Sequence, residues 1–205
     1  MLPVHLCPVP GPLYAALLGY KESSISEVRR RFSRQVGRRF AEFFVSHRVC
    51  LDAVTAGGID LVLPVPSSTR PGPASLARIE GLAELCVAGS AGSASWDPGV
   101  LCRSDGPIGH MRPNPRAFAV PSACRPAVSG ARVLLLDDTY VSGSRAQSAA
   151  ATLRRAGARS VLIVPLGRVI RPATFAAHAW FSAEQPTGNG HAPRCLVAQT
   201  GAGRR

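Results

Sequence analysis

The segment at residues 132–166, "RVLLLDDTYVSGSRAQSAAATLRRAGARSVLIVPL", constrains the fold of this chain more than any other feature. Its periodicity predicts an apolar strand at residues 133–136, a helix at 144–156 and a second apolar strand at 160–166. Two apolar strands joined by a helix are typical of a parallel sheet with a right-handed crossover. The sequence therefore predicts an α/β fold in which a mostly parallel sheet is flanked by helices.

The helix of this segment should pack on the sheet through small side chains. Its predicted buried stripe consists of Ala146, Ala149, Ala150 and Leu153. Gly157 stands where a left-handed residue commonly ends a helix. The small stripe and the glycine stop together predict a short helix that lies close to the sheet.

Polar residues fill the connection between the first strand and this helix. Asp137 and Asp138 fall at the carboxyl edge of the strand, where ligands bind in open parallel sheets. The residues that follow lie before a helix N-terminus, where backbone N–H groups and the helix dipole favour a phosphate. We name these residues the phosphate loop: Val141, Ser142, Gly143 and Ser144. A sugar phosphate would satisfy both parts, with its hydroxyls on the aspartates and its phosphate in the loop.

Two simpler interpretations explain the aspartate pair less well. A strand-end turn with Asp138 as a helix cap needs only one such residue, so it leaves Asp137 unexplained. A dinucleotide-binding fold would need a G-x-G-x-x-G segment after its first strand, and the sequence has none there. The ligand interpretation is therefore preferred.

The rest of the chain predicts further elements around this unit. We predict helices at residues 12–20, 26–47 and 74–86, with a Ser24-x-x-Glu27 capping box before the second. Strands are predicted at 59–66 and 117–120. The second helix should bury an apolar stripe and turn its arginines outward; the stripe is Ile25, Val28, Phe32, Val36, Phe40 and Phe43.

We interpret residues 1–205 as a single domain. Its core spans about residues 55–170, after an N-terminal helical segment at 12–50 and before an irregular C-terminal segment at 171–205. Residues 103–116 form a long loop rich in glycine and proline, and such loops are often functional lids.

The stretch "VLLLDDTYVSGSRAQ" resembles the phosphoribosyl pyrophosphate (PRPP) motif of type I phosphoribosyltransferases, most closely in the ComF-like family. The tyrosine two residues after the aspartate pair, Tyr140, adds to the resemblance to the ComF-like family. The Tyr20-Lys21 pair near the start and the segment "DLVLPVPSS" at residues 60–68 add to it as well. The resemblance implies a single-domain type I phosphoribosyltransferase fold, a mostly parallel sheet flanked by helices with a small hood of terminal segments.

The resemblance also implies roles for individual residues. Asp137 and Asp138 would be the catalytic pair that holds the ribose hydroxyls, and the phosphate loop with Arg145 would bind the 5′-phosphate. Pyrophosphate would lie at Ser67, Ser68 and Arg70. The lid would be a flexible loop with the candidate residues His110, Arg112 and Arg116. Mg²⁺ would be the cofactor, carried by PRPP without a direct protein ligand.

The implied activity is transfer of 5-phosphoribose from PRPP to a nitrogenous base with release of pyrophosphate. The alternative is a non-catalytic protein that binds PRPP or a nucleotide, related to competence and DNA uptake. Three departures from the family stand out: no CxxC pairs, "RPGPASLARI" after the pyrophosphate loop, and Arg145 where a second hydroxyl residue is usual. Val141 also replaces the aspartate by which hypoxanthine- and guanine-salvaging relatives take the purine proton.

Composition narrows the classes of partner. The net charge is +12, but Lys21 is the only lysine and most arginines are scattered, so a solvated helix face is preferred over a nucleic-acid surface. The six cysteines form no CxxC pair, which disfavours a zinc site. No apolar run is long enough for a membrane helix, and the N-terminus is a poor signal peptide. We expect a cytoplasmic protein without a membrane partner; whether it is a homodimer stays open.

Overall fold

The computed structural model describes residues 1, 3–55, 57–66, 76, 79, 82–84, 94–109 and 111–171. Its central sheet has five parallel strands in the order β1-β7-β6-β2-β3. These strands are β1 (His5–Pro8), β2 (Leu61–Pro64), β3 (Ser95–Trp96), β6 (Arg132–Tyr140) and β7 (Ser160–Ile170). A separate antiparallel ribbon joins β4 (Cys102–Arg103) and β5 (Phe118–Ala119). The predicted mostly parallel sheet is confirmed.

Helices cover both faces of this sheet. They are α1 (Pro12–Glu22), α2 (Ser26–Val54), α3 (Arg125–Val128) and α4 (Ser144–Arg155). In the central strand β6 successive side chains point to opposite faces, so Leu134 and Leu136 join one apolar cluster while Val133 and Leu135 join the other. All four are essentially inaccessible to solvent, as expected for a parallel strand covered on both sides.

The first face is covered by α1 and α2. Phe40 and Phe44 of α2 stack in this cluster at 6.1 Å between ring centroids, and Leu17 and Tyr20 of α1 pack with them. The arginines of α2 face solvent as predicted: Arg29, Arg30, Arg31, Arg34, Arg38 and Arg39. The amphipathic helix is confirmed, with Val36, Phe40 and Phe43 of its predicted stripe buried, and it continues to Val54 past a non-helical residue at His47. The start of the stripe is wrong, because Ile25 lies at the N-cap with 61% of its surface exposed.

The start of α2 differs from the prediction. Ile25 is the N-cap residue and no side chain caps the helix, so the Ser24-x-x-Glu27 capping box is wrong. Glu27 instead pairs with Arg30 on the exposed face, at 2.6 Å. Ser23 provides the local turn, since its hydroxyl accepts a hydrogen bond from the Ile25 N–H at 3.3 Å.

The second face is covered by α4 and by residues 100–128. Ala146, Ala149 and Leu153 are fully buried against β6 and β7, and Ala150 is partly buried, as the stripe predicted. The helix ends at Arg155, and two residues later Gly157 (φ +102°) donates its N–H to the Arg154 carbonyl while the next N–H donates to the Leu153 carbonyl. This is the Schellman arrangement that the glycine predicted.

Strand β6 is longer than predicted. It continues to Tyr140 rather than ending at Leu136, because Thr139 and Tyr140 pair with Gly167 and Arg168 of β7. The aspartate pair therefore lies within the strand and not after it. The N-terminal residues also join this sheet: β1 pairs with β7 as an edge strand, a position that tolerates its proline.

The predicted lid at residues 103–116 is attached to α4. The Asn114 N–H donates to the Ser148 hydroxyl, and the Thr152 hydroxyl donates to the Pro115 carbonyl, each at 2.8 Å. Most of the predicted helix at 74–86 and all of residues 172–205 lie outside the described residues. In the part that is described, no helix has the length and hydropathy needed to span a membrane.

Candidate functional site

The two aspartates of β6 point to opposite faces of the sheet. Asp138 continues the alternation of Leu134 and Leu136 and faces α1, whereas Asp137 continues that of Val133 and Leu135 and faces α4. Both side chains are buried, with 3% and 4% of Asp137 and Asp138 exposed. A buried carboxylate needs a counter-charge and hydrogen bonds. Asp137 receives its counter-charge from α4, and Asp138 receives its counter-charges from α1 and also from Arg145 of α4.

Asp138 is held by the last turn of α1. Lys21 Nζ lies 2.6 Å from Asp138 Oδ1, and the Tyr20 hydroxyl donates a hydrogen bond to Asp138 Oδ2. Tyr20 itself is 5% exposed, so this contact lies inside the protein. The ion pair and the hydrogen bond join α1 to the centre of the sheet.

Asp137 is held by the first turn of α4. Arg145 donates through Nη2 to Asp137 Oδ1 and lies 3.3 Å from Asp138 Oδ1, so one guanidinium contacts both carboxylates. Asp137 Oδ1 also accepts the Asp138 backbone N–H at 3.0 Å. Arg145 is therefore a counter-ion of the pair.

The two carboxyl groups have opposite pKa shifts. Burial raises the pKa of Asp137 to about 6, although the Arg145 charge acts against this. Burial also acts to raise the pKa of Asp138, but Lys21 and Arg145 outweigh it, so that this pKa lies below its ordinary value. Burial, followed by the Asp138 charge, raises the pKa of Tyr20, which keeps its phenol protonated as the donor to Asp138.

The phosphate loop connects β6 to α4 through a left-handed glycine. Gly143 is the N-cap of α4 with φ +82°, and a Cβ there would overlap the ring of Tyr140. Only glycine suits a position with both features. The Ser142 and Ser144 hydroxyls lie 3.2 Å apart on this turn, next to the backbone N–H groups at the start of α4.

A cleft of about 560 Å³ lies between α1, the phosphate loop and the start of the predicted lid. Asp137, Arg145 and Lys21 line it together with the whole phosphate loop. One wall is largely apolar and comes from α1; it includes Tyr14, Leu17 and Leu18. Arg103 and Ile108 of the predicted lid also line the cleft. Asp138 is not among the lining residues, because Tyr20, Lys21 and Arg145 cover it.

The site residues predicted from the sequence are thus only partly brought together. Asp137, Arg145 and the phosphate loop share the cleft, whereas Arg112 and Arg116 of the lid are exposed and do not line it. Ser67, Ser68, Arg70 and His110 lie outside the described residues.

Sequence reasoning missed two participants in the site. Arg103 lines the cleft, and its guanidinium donates to the carbonyls of Ser104 and Gly106. The contact of Tyr20 and Lys21 with Asp138 was also not predicted. The resemblance had marked the Tyr20-Lys21 pair, but no signal in the sequence indicated that Asp138 would be its partner.

The carboxylate pair does not fit a directly bound Mg²⁺. Both carboxylates already have cationic partners, and the described residues contain no group of three or more His, Cys, Asp or Glu side chains that could hold a metal ion. Mg²⁺ prefers carboxylate and phosphate oxygens that are free to coordinate it. The pair therefore does not offer Mg²⁺ the free oxygens that it prefers.

Comparisons with known proteins give distant structural likenesses. No family model and no curated protein sequence matches the chain. One solved structure, glutamine PRPP amidotransferase from B. subtilis complexed with ADP and GMP, is 20% identical with a TM-score of 0.42. Another, the allosteric regulatory enzyme of purine biosynthesis, is 18% identical with a TM-score of 0.40. Each alignment covers 73% of this chain and 30% of the other, so this chain spans less than a third of either protein.

Proposed function

We propose that this chain binds PRPP and transfers its 5-phosphoribosyl group to a nitrogenous base, releasing pyrophosphate. One observation carries the proposal: a buried aspartate near the carboxyl end of β6 and a phosphate loop at the N-terminus of α4 line the same cleft. A carboxylate accepts from hydroxyl groups, and a helix N-terminus favours a phosphate. Their juxtaposition suits a ribose 5-phosphate group.

In this proposal the 5′-phosphate lies on the phosphate loop, with Arg145 beside it, and Asp137 accepts from the ribose hydroxyls. Asp138, which Tyr20 and Lys21 cover, orients the carboxylate pair. Its proposed contact with the ribose hydroxyls rests on the family resemblance. We further propose pyrophosphate contacts for Ser67, Ser68 and Arg70, and lid roles for His110, Arg112 and Arg116. Mg²⁺ would enter as the PRPP complex without a protein ligand.

The chemistry is a displacement at the anomeric carbon. A ring nitrogen of the base donates its electron pair to C1′, the C1′–O bond breaks, and its electrons leave with pyrophosphate. The transition state is oxocarbenium-like, so the site must hold the ribose and exclude water. The nitrogen's proton must pass to solvent or to pyrophosphate, because Val141 offers no carboxylate to accept it.

A second candidate is a non-catalytic protein that binds PRPP or a nucleotide. The two hydrogen bonds that attach residues 114–115 to α4 favour it, since they restrain the segment that would close over the substrates. We propose the ComF-like family for both candidates, from the aspartate pair with Tyr140 and, in second place, the Tyr20-Lys21 pair and residues 60–68. Its link to competence concerns the non-catalytic candidate. The single domain, the cytoplasmic location and a homodimer are likewise predictions.

Two measurements on the full chain test these candidates. PRPP with Mg²⁺ should raise the melting temperature, because a ligand at about 100 times its Kd adds about 2.7 kcal/mol of stability. Pyrophosphate release with a panel of bases should then identify the acceptor. A thermal shift without release would favour the binding protein, and no shift at millimolar PRPP would contradict both candidates.

A further inference from the structure

The carboxylate pair of the cleft is internally neutralised. Two carboxylates, Asp137 and Asp138, face two cations, Lys21 and Arg145, with the Lys21 contact at 2.6 Å and the second Arg145 contact at 3.3 Å. These four side chains come from α1, β6 and α4. Their formal charges sum to zero, so the cluster presents no excess negative charge to a divalent cation.

The cations are also accessible from the cleft. Lys21 and Arg145 both line it, with 23% and 25% of their side chains exposed. Arg145 follows the phosphate loop directly, and its guanidinium has five N–H donors in a planar fork. A guanidinium that contacts two carboxylates can donate its remaining N–H groups to a phosphate next to them.

A Mg²⁺ ion at this pair would have to compete with both cations. It would enter a poorly solvated cluster where like charges are weakly screened, and it would displace Lys21 or Arg145 from a buried carboxylate. A phosphate displaces neither cation, because it can accept hydrogen bonds from the N–H groups of Lys21 and Arg145 that face the cleft. The charges of the cluster therefore favour a sugar phosphate without metal over one with metal.

We propose that Lys21 and Arg145 take the place of a divalent cation at the carboxylate pair, so that the 5-phosphoribosyl part of the ligand binds without a metal ion. This inference rests on the proposed function and specifies which part of the ligand binds without a metal ion. Any metal requirement would then belong to pyrophosphate alone. Ribose 5-phosphate, which lacks pyrophosphate, isolates the part of the site that the inference concerns.

The test is a calorimetric titration of the full chain with ribose 5-phosphate, once in excess EDTA and once in millimolar Mg²⁺. We expect the same Kd in both, within about twofold, which is less than 0.5 kcal/mol. Binding that needs Mg²⁺ would overturn the inference and leave the proposed function intact. Absence of binding under both conditions would overturn the proposed function and the inference with it.

Variants assign the effect to the two cations. Arg145→Thr, which introduces a hydroxyl residue, and Lys21→Met should each weaken binding in EDTA by roughly tenfold or more, the size of a lost charge-assisted hydrogen bond. Mg²⁺ should then restore part of the affinity. Arg31→Met, an exposed change on α2, lowers the net charge equally and should change neither titration.

Charge-conserving variants protect the test from misfolding. Arg145→Lys and Lys21→Arg keep the cluster neutral, so both should bind ribose 5-phosphate in EDTA more tightly than the charge-removing variants, and Mg²⁺ should not strengthen the binding of either. If Arg145→Lys required Mg²⁺, the inferred role of the Arg145 charge would be wrong. The wild-type pair of titrations decides the inference even if the charge-removing variants fail to fold.

Discussion

The helices that cover the two faces of the central sheet contribute side chains of very different size. On the side of α1 and α2 the cluster contains the rings of Phe40, Phe43 and Phe44. On the side of α4 the helix contributes mainly small residues, among them Ala146 and Ala149. The distance at which an element packs depends on the side chains at the contact, so α4 is expected to lie closer to the sheet.

The different neighbours on the two faces of the sheet explain how two adjacent aspartates acquire different partners. Asp137 faces the alanine-rich helix, whose first turn brings Arg145 and the phosphate loop to the carboxylate. Asp138 faces the aromatic side, where Tyr20 and Lys21 extend two long side chains from the end of α1. The α4 side thus provides the phosphate loop and Arg145, while α1 provides the partners of Asp138 and one wall of the cleft.

The largest expected effect is on the aromatic side. Phe40→Ala should lower the free energy of unfolding by about 3–5 kcal/mol, because it leaves a cavity at a fully buried ring. Urea unfolding of the variant and of Val45→Ala measures this. Val45 is 77% exposed on the same helix, so its change should stay within about 0.5 kcal/mol. Equal losses in the two variants would contradict the assigned core.

The support role of Asp138 predicts the next largest effect. Asp138→Asn keeps the shape but leaves Lys21 without its anion in a partly buried position, which should cost about 2–3 kcal/mol. Chemical denaturation gives the value, with the exposed Asp105→Asn as the matched control. If Asp138→Asn were as stable as the control, the link between α1 and the sheet would not matter for stability.

Asp137 should produce a pH dependence of its own. Its folded pKa of about 6 lies above the ordinary 3.8, so between these values the folded protein keeps a proton that the unfolded chain has lost. The free energy of unfolding should therefore fall as pH rises from about 4 to about 6, by about 2 kcal/mol, and stay level above. The lowered pKa of Asp138 acts below this window with the opposite sign.

Denaturation at a series of pH values, for the wild type and for Asp137→Asn, measures this slope. The variant lacks the titrating group and should show a flatter profile between pH 4 and 6. A wild-type profile that rises through that range, or a slope unchanged in Asp137→Asn, would show that Asp137 does not retain its proton on folding.

The smallest effect concerns the turn before α4. Gly143→Ala must accept both a positive φ and a clash with the Tyr140 ring, whereas Gly130→Ala has a similar φ of +75° with open space around it. We expect a cost of about 1 kcal/mol for Gly130→Ala and about 2 kcal/mol for Gly143→Ala. Thermal denaturation compares them. Equal costs would mean that the tyrosine moves aside easily.

The sequence by itself determined the parallel strand–helix–strand unit, the small-residue face of α4 and the outward arginines of α2. These features depend on local periodicity and on single residues such as Gly157, which act within a few positions along the chain. The same local signals placed Asp137 and the phosphate loop at one edge of the sheet. That prediction needed only the general behaviour of parallel strands.

Only the tertiary structure decided where β6 ends and what holds its aspartates. The strand continues to Tyr140 because β7 offers partners there, and no signal within β6 encodes that pairing. Tyr20 lies 118 positions before Asp138 in the sequence and donates a hydrogen bond to its carboxylate. Lys21, the next residue, forms an ion pair with the same carboxylate. Contacts so distant along the chain depend on how the helices pack, which local patterns do not specify. The division of the pair into a ligand-facing Asp137 and a supporting Asp138 arises from this packing.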